Sequence, residues 1–242
     1  MNAQTLEQMK QLRLHGMLRA FSTSLSPQSI EYTNDELIAY LMQSEWDDRQ
    51  NRKIDRLTKA ARFRYNAVME NIDYDPTRNL DKNRINRFAG CEFLMEKENI
   101  LITGSTGAGK SYMASAIGHQ ACSLGYKVMY FNTTKLFTML KTSKADGSYM
   151  KQIDKLAKQD LLVLDDFGLK GLDNINRDCF MEIIEDRHGK KSTIIASQLP
   201  VEAWHQIIGE QTIADAILDR LVHTAHRIDI KGESMRKKLK NK

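Results

Sequence analysis

The residues best suited to chemistry form one glycine-rich segment, Gly104-Ser105-Thr106-Gly107-Ala108-Gly109-Lys110-Ser111. The segment fits G-x-x-x-x-G-K-[S/T], the spacing of a phosphate-binding loop. Its glycines let backbone N–H groups turn inward onto phosphate oxygens, and a following helix adds partial positive charge. Lys110 can reach the β- and γ-phosphates, and the Ser111 hydroxyl can bind Mg²⁺. We therefore predict a nucleoside triphosphate site formed by these residues and Tyr112.

A second candidate is a pair of acids, Asp165 and Asp166, which follows the apolar run at residues 161–164. The run predicts a buried strand with both carboxylates at its tip. Asp165 can complete a Mg²⁺ shell opposite Ser111, and Asp166 can orient or deprotonate an attacking water. Two such acids could equally cap a helix or lie in a surface loop. Their position about fifty residues after the glycine-rich loop favours the ATP site.

Two arginines follow these motifs. Arg220 ends a predicted helix, and Arg236 lies beyond the last predicted strand. A guanidinium beside the γ-phosphate stabilises the charge that develops in phosphoryl transfer. From the sequence alone, a surface ion pair is the simpler interpretation for each of them.

The motifs need a parallel sheet to hold them. Short apolar segments predict five strands, at residues 100–102, 128–131, 161–164, 193–196 and 227–230. Helical segments alternate with them, near residues 112–124, 134–142, 149–158, 174–189, 201–208 and 213–222. This alternation predicts a three-layer α/β domain. One strand separates the two motifs along the chain, which favours ATPases with an inserted central strand over metabolite kinases.

The N-terminal part has a different, purely helical pattern. Apolar spacing predicts one helix over residues 3–25, and a capping box of Thr33 and Glu36 predicts a second, continuing to about Met69. Four basic residues share one face of the second helix: Arg49, Arg52, Arg56 and Lys59. A solvated surface and a nucleic-acid contact are both open interpretations of this stripe. We place the domain boundary near residue 70, giving an all-α region (1–70) and an ATPase domain (71–242).

The composition of the 242 residues sets the broad class. The chain is 41% hydrophobic and 28% charged, which is typical of a globular protein, and its net charge is +5. It contains no apolar run long enough to span a membrane and no secretory signal. Its three cysteines show no metal or disulfide spacing, which favours a cytoplasmic location.

With these motifs in place, the chain resembles the IstB-type helper ATPases of insertion-sequence transposition, within the IstB/DnaC-like AAA+ group. The resemblance covers nearly the whole chain and is carried by GSTGAGKS (104–111), LDDFG (164–168), SQLPVEAWH (197–205), IADAILDRL (213–221), KGESMRKK (231–238) and LRLHGM (12–17). It implies an AAA+ P-loop ATPase with a minimal or absent C-terminal lid. It also implies ATP and Mg²⁺ as cofactors, a homo-oligomer with ATP at subunit interfaces, assembly on double-stranded DNA, and a cognate transposase as partner.

The resemblance also implies roles for single residues. Arg220 matches the arginine finger, which acts on ATP held by a neighbouring subunit, and Arg236 matches the second sensor arginine. Ser197 falls where the first sensor residue is expected. Asp166 stands where the wider superfamily usually has Glu, which implies slow hydrolysis.

We therefore predict an ATP-dependent DNA-binding protein that assists a transposase in target selection. A helicase loader of the DnaC type would share the ATPase core but use its N-terminal region to bind a helicase. A DNA-binding structural module whose loop only binds nucleotide is a second alternative, and a metabolite kinase is a third.

Overall fold

The computed structural model describes residues 2–26 and 32–235. Contacts divide the chain into two units between Arg56 and Leu57. The boundary predicted near residue 70 thus falls inside the second unit. The physical reason is burial: Ala61, Ala67 and Met69 belong to the same hydrophobic core as the first strand.

The first unit contains helices α1 (Asn2–Gln11) and α2 (His15–Ser24) and most of α3 (Asn34–Ala61). The single helix predicted over residues 3–25 is interrupted at Arg13, which has a left-handed backbone with φ 57°. The capping box at the start of α3 is confirmed. The Thr33 N–H donates to Glu36 Oε2 at 2.8 Å, and the Glu36 N–H donates to Thr33 Oγ1 at 3.4 Å.

The α2 and α3 helices approach closely at Gly16. A Cβ at this position would lie 2.2 Å from the carbonyl oxygen of Ser44, so only glycine permits the approach. The Gly16 N–H, at the start of α2, donates to Glu45 Oε2 at 2.8 Å. A carboxylate at a helix N-terminus satisfies a backbone donor that has no partner within the helix.

The second unit holds the sheet. Its strands are β1 (Asn99–Gly104), β2 (Val128–Asn132), β3 (Leu161–Phe167), β4 (Ser192–Ser197) and β5 (Ala225–Ile230). Its longer helices are α6 (Lys110–Ser123), α7 (Thr133–Ala145), α8 (Tyr149–Ala157), α9 (Asn174–Arg187) and α11 (Gln211–Val222). Shorter helices are α4 (Lys82–Asn86), α5 (Glu92–Met95) and α10 (Trp204–Ile208), with 3-10 turns at Met69–Asn71, Pro76–Arg78, Arg87–Gly90 and Val201–Ala203. All five predicted strands are present.

The strands are parallel and lie in the order β2-β3-β4-β1-β5. The strand inserted between the glycine-rich loop and the acidic pair is therefore β4, whereas β2 lies at the edge of the sheet. We call the side where the strands end the carboxyl edge and the side where they begin the amino edge. Parallel strands deliver all their C-terminal residues to one edge, which is where ligands bind in such folds.

Both faces of the sheet are buried. Along β1, Ile100 and Ile102 join one core cluster and Leu101 joins the other, as the two-residue period of a strand requires. Residues of α6 belong to the first cluster, and residues of α7, α9 and α11 to the second. The predicted three-layer α/β architecture is confirmed. Across residues 2–26 and 32–235, no helix combines the length and apolar character needed to cross a membrane.

Candidate nucleotide-binding site

The predicted phosphate loop connects the end of β1 to the start of α6. Gly104, Gly107 and Gly109 have φ values of 146°, 82° and 99°, a backbone region that favours glycine. A Cβ at Gly104 would also lie 2.2 Å from the carbonyl oxygen of Ile230 on the neighbouring β5. The loop therefore needs glycine where the backbone φ is positive and where a Cβ would meet a neighbouring strand.

Lys110 lies over this loop. Its Nζ donates to the carbonyl oxygens of Gly104 and Ser105, each at 2.8 Å, and the residue is buried. Because the ammonium is held at the loop by backbone groups, its charge faces the place where the motif positions phosphates.

Asp165 is fully buried at the carboxyl edge, and both of its carboxylate oxygens have partners. Oδ1 accepts a hydrogen bond from Ser111 Oγ at 2.9 Å, and Oδ2 accepts from the Tyr130 hydroxyl. Burial, together with the Asp165 carboxylate, raises the pKa of Tyr130 far above its ordinary value, so the phenol stays a donor. The tyrosine fixes the carboxylate and directs Oδ1 towards Ser111.

The donor set of Ser111 and Asp165 fits Mg²⁺, which prefers oxygen ligands in octahedral geometry. Ligands about 2.1 Å from the ion lie about 3 Å apart at neighbouring positions, and the two oxygens are 2.9 Å apart. In the described part of the chain, no group of three or more His, Cys, Asp or Glu residues could hold a metal ion. A cation here would therefore take its remaining ligands from phosphates and water.

Asp166 has a left-handed backbone, with φ 58°. The pairing of β3 with β4 shifts between Leu164 and Phe167, so one extra residue is present in β3. Such a bulge re-aims side chains that would otherwise alternate across the sheet. Both acids consequently contact the same group, Arg64, whose Nη1 lies 2.9 Å from Asp166 Oδ2 and 3.4 Å from Asp165 Oδ2. Asn132 Nδ2 also donates to Asp166 Oδ2, at 2.9 Å.

At the end of β4, Gln198 rather than Ser197 reaches the phosphate loop. The Thr106 hydroxyl donates to Gln198 Oε1 at 2.7 Å. Ser197 is fully buried, and its hydroxyl donates to the Phe167 carbonyl at 2.8 Å and accepts from the Leu199 N–H at 3.1 Å. Ser197 therefore fastens the ends of β3 and β4 together, and its side chain is engaged in the backbone.

The segment that precedes β1 contacts the phosphate loop through Arg78. Buried Arg78 donates to the Ala108 carbonyl at 2.6 Å and to the Asp73 carbonyl at 2.5 Å. The Lys231 N–H donates to the Arg78 carbonyl at 3.1 Å. Arg78 thus braces the loop from behind.

The chain beyond β5 returns to the same loop. The Met235 N–H donates to the Gly107 carbonyl at 3.0 Å, and a Cβ at Gly107 would lie 2.1 Å from Ser234 Oγ. Arg236, the predicted second sensor, lies outside the described residues. The described neighbour, Met235, is in direct contact with the phosphate loop.

Arg220 lies elsewhere, at the amino edge. The Leu221 carbonyl beside it accepts from Asn99 Nδ2 at 3.2 Å, and Asn99 is the first residue of β1. The phosphate loop starts at the other end of this strand, about 17 Å away at ~3.3 Å per residue. Arg220 pairs with Glu185 at 2.7 Å, donates to the Ala216 carbonyl at 3.0 Å, and is a quarter exposed. The fold does not bring Arg220 to the phosphate loop of its own chain.

The predicted basic stripe is partly paired. Arg49 Nε lies 2.7 Å from Glu45 Oε1, and Arg52 Nε lies 2.6 Å from Asp48 Oδ2. These arginines and Arg56 line a shallow depression in the first unit, together with three residues absent from the prediction: Leu12, Arg13 and Lys53. Five cations surround this depression, which we call the basic depression. Lys59, the last member of the stripe, belongs to the second unit.

Sequence reasoning missed five side chains that build the site: Arg64, Arg78, Tyr130, Asn132 and Gln198. Asn132 and Gln198 end or follow strands, and that position was a usable signal. Arg64, Arg78 and Tyr130 carry no motif, because their contacts depend on how distant segments meet.

The strand order and the phosphate loop define a P-loop domain with the AAA+ fold. Three solved structures share this fold: DnaI (TM-score 0.60, 23% identity, 69% of this chain and 92% of that chain), the DnaC helicase loader (0.58, 24%, 69% and 98%) and DnaA of Aquifex aeolicus (0.61, 19%, 75% and 57%). At these identities the likeness concerns the fold alone.

The family follows from sequence. A family model described as IstB-like ATP binding protein matches residues 7–242, and the chain belongs to this family. An insertion sequence ATP-binding protein of Sinorhizobium fredii, y4pL, is 42% identical over 98% of both chains. The ATP-binding protein of insertion sequence IS1162 from Pseudomonas fluorescens is 40% identical over 83% of this chain and 87% of that protein.

Proposed function

We propose that this protein is a Mg²⁺-dependent ATPase that assembles on double-stranded DNA and assists a transposase in target selection and insertion. One observation carries the proposal: Lys110 is bonded to the phosphate loop, and Ser111 beside it donates to the buried Asp165. Family membership supports ATP as the nucleotide.

The chain's own groups account for nucleotide binding. The loop from Gly104 to Gly109 and the first turn of α6 present backbone donors to the phosphates. Lys110 adds a positive charge near the β- and γ-phosphates. Tyr130 and Ser111 hold Asp165 in the orientation that a bound cation requires. Mg²⁺, when bound, would neutralise developing charge on the phosphate oxygens.

Asp166 is the proposed residue that orients or deprotonates the attacking water. Asn132 and Arg64 both bind its Oδ2, which fixes the direction of the carboxylate. Gln198 is proposed for the sensor role that the family resemblance implies for Ser197, since its side chain accepts a hydrogen bond from Thr106 in the loop. The proposed reaction uses a water molecule activated by a carboxylate beside the phosphate loop. Its class is therefore hydrolysis of the γ-phosphate.

The site is completed by a second copy of the chain. Arg220 lies at the amino edge, away from its own phosphate loop, and its side chain is partly exposed. We therefore assign it to ATP bound by a neighbouring subunit, which makes ATP the bridge of a homo-oligomer. Arg236 is proposed to act within its own subunit, where Met235 already contacts the loop.

DNA binding is assigned first to the basic depression in the first unit. Guanidinium and ammonium groups there fit phosphate oxygens, which give affinity without base readout. Arg49 and Arg52 are partly neutralised by Glu45 and Asp48, so Arg13, Lys53 and Arg56 carry the net positive charge. Lys59, in the second unit, is proposed as a separate DNA contact.

The names of the relatives support a transposase partner, because they place such proteins in insertion sequences. Three buried free thiols, at Cys91, Cys122 and Cys179, fit the reducing conditions of the cytoplasm, where we place the activity. Burial raises the pKa of the Cys91 and Cys122 thiols to about 11, which keeps them unreactive.

The test compares ATP turnover and assembly, each with and without duplex DNA, for the wild type, Lys110→Ala and Lys190→Ala. Lys190 is an exposed lysine, so its substitution controls for loss of one charge. We expect the Lys110→Ala protein to lose hydrolysis and ATP-dependent assembly on DNA, and Lys190→Ala to behave as the wild type. Unchanged assembly of Lys110→Ala with ATP would contradict the proposal.

A salt titration of DNA binding tests the basic depression. The log–log slope of affinity against salt falls by about 0.9 for each lost phosphate contact. Substituting Lys53 and Arg56 with Gln should reduce the slope by about 1–2 and weaken binding to all sequences equally. The Lys190→Ala protein should keep the wild-type slope.

The alternative function is that of a helicase loader, which the printed name of the DnaC structure gives for that protein. The same Lys53 and Arg56 variant separates the two functions when it is assayed against a replicative helicase and against duplex DNA. Loss of helicase binding with unchanged DNA binding would favour the loader.

A further inference from the structure

Arg64 contacts both acids of the proposed ATP site, Asp165 and Asp166, within one chain. Its Nη1 donates to Asp166 Oδ2 at 2.9 Å and approaches Asp165 Oδ2 at 3.4 Å. It lies three residues beyond the end of α3, in a segment with no recognised motif. The functions proposed above use its bond to Asp166 but do not account for its contact with Asp165.

The segment around Arg64 is anchored on α6, the helix that begins with Lys110. The Phe63 ring lies 4.2 Å from that of His119, centroid to centroid, and occupies space that a Cβ at Gly118 would enter at 2.4 Å. On the other side of Arg64, the Tyr65 carbonyl lies 3.2 Å from His119 Nε2. Arg64 is therefore delivered to the acids by contacts on both flanks.

The Arg64 guanidinium also contacts the neighbouring Tyr65 ring. Its central carbon lies 5.6 Å from the centre of the Tyr65 ring, a distance within the range of a cation–π contact. Its side chain is 41% exposed, whereas that of Asp165 is 1% exposed. A charge on a partly exposed arm thus faces a carboxylate that solvent cannot reach.

We propose that Arg64 is a built-in cation of the ATP site that competes with the divalent metal for Asp165 while holding Asp166. The proposal rests on the Mg²⁺-dependent nucleotide site proposed above. Arg64 and the metal carry like charge and share one carboxylate, so each weakens the binding of the other. Metal loading at Asp165 would then loosen Arg64 and leave its firmer contact with Asp166.

The two carboxylate oxygens of Asp165 have different partners, which separates the Arg64 contact from the proposed metal site. Tyr130 and Arg64 share Asp165 Oδ2, whereas Ser111 holds Oδ1 on the metal side. If Ser111 and Asp165 Oδ1 held a divalent metal, the longer, 3.4 Å contact of Arg64 would be weakened more than the Tyr130 bond.

The test measures binding of a fluorescent ATP analogue while Mg²⁺ is titrated at constant ionic strength. It compares the wild type with Arg64→Gln, Arg64→Lys and the control Arg62→Gln. Arg62 is two residues away, is exposed, and forms no ion pair among residues 2–26 and 32–235. Removing the Arg64 charge should lower the half-saturating Mg²⁺ concentration about three- to tenfold, because the exposed arm limits the effect.

The Arg64→Lys protein should stay within about twofold of the wild type, since it keeps the charge, and Arg62→Gln should not differ from it. In EDTA, Arg64→Gln should bind the nucleotide more weakly than the wild type, because the acids then lack any counter-charge. A half-saturating Mg²⁺ concentration that is unchanged or higher in Arg64→Gln would overturn the proposed competition but not the proposed ATP site. A wild type that binds no nucleotide would overturn the proposed function and this inference together.

Discussion

The two edges of the sheet hold their charged groups in opposite arrangements. At the carboxyl edge, two acids lie beside a glycine-rich loop, and their oxygens are shared by Ser111, Tyr130, Arg64 and Asn132. At the amino edge, two arginines lie near the strand starts, and they differ from each other. Arg187 is buried and donates to the carbonyls of Leu156, Gln159 and Ser192, whereas Arg220 is held by one exposed glutamate and one carbonyl.

The difference indicates which arginine is structural and which is available. Burial lowers the pKa of Arg187 to about 10, and backbone carbonyls satisfy its donors, so its role is to join strand starts and helix ends. Arg220 has a weak, solvent-accessible ion pair that a better anion can replace. A phosphate of ATP on another copy of the chain is such an anion. The carboxyl edge therefore supplies one part of the proposed site, and the amino edge supplies the part for its neighbour.

The largest expected effect comes from Arg220→Ala. Loss of a guanidinium at the transferring phosphate should reduce ATP hydrolysis about 10³-fold or more, with nucleotide binding nearly unchanged. Single-turnover hydrolysis and fluorescent nucleotide binding measure the two quantities separately. An equal loss of binding and hydrolysis would show that Arg220 is structural.

Mixing subunits sharpens this result. Lys110→Ala keeps Arg220, and Arg220→Ala keeps the phosphate loop, so a mixed assembly contains some complete sites. We expect the mixture to recover measurable hydrolysis that neither protein shows alone. If no mixing ratio restores activity, although mixed assemblies form, the two edges do not complete each other.

The second expected effect belongs to the carboxyl edge. Asp166→Asn should reduce hydrolysis about 10²–10³-fold, because the amide cannot accept a proton from water. Asn also tolerates the left-handed backbone at this position, so the bulge should persist. Mg²⁺–ATP binding and thermal stability should stay close to the wild type. Hydrolysis within about fivefold of the wild type would remove Asp166 from the proposed mechanism.

These experiments address residues whose assignment came from different sources. The strands and the phosphate loop were predictable because their signals are local: apolar runs of fixed length, and glycines where φ is positive. The contacts of Arg64 and Tyr130 were not, because they depend on a segment packing along α6 and on a bulge at Asp166. The break at Arg13 was missed because apolar spacing continues across it. The prediction of Ser197 was one residue away from Gln198, which contacts the loop. Side chains alternate in direction at a strand end, so a shift of one residue changes which side chain reaches the loop.

The smallest expected effect tests how weakly Arg220 is held. Glu185→Gln removes the charge of its partner and leaves the contact with the Ala216 carbonyl. A partly exposed ion pair contributes about 0–1 kcal/mol, so hydrolysis by DNA-bound assemblies should rise by no more than about fivefold. Nucleotide binding to the carboxyl edge should not change, because Glu185 lies at the amino edge. A large loss of hydrolysis would instead mean that Glu185 positions Arg220 for the neighbouring site, and the amino edge would then be as preorganised as the carboxyl edge.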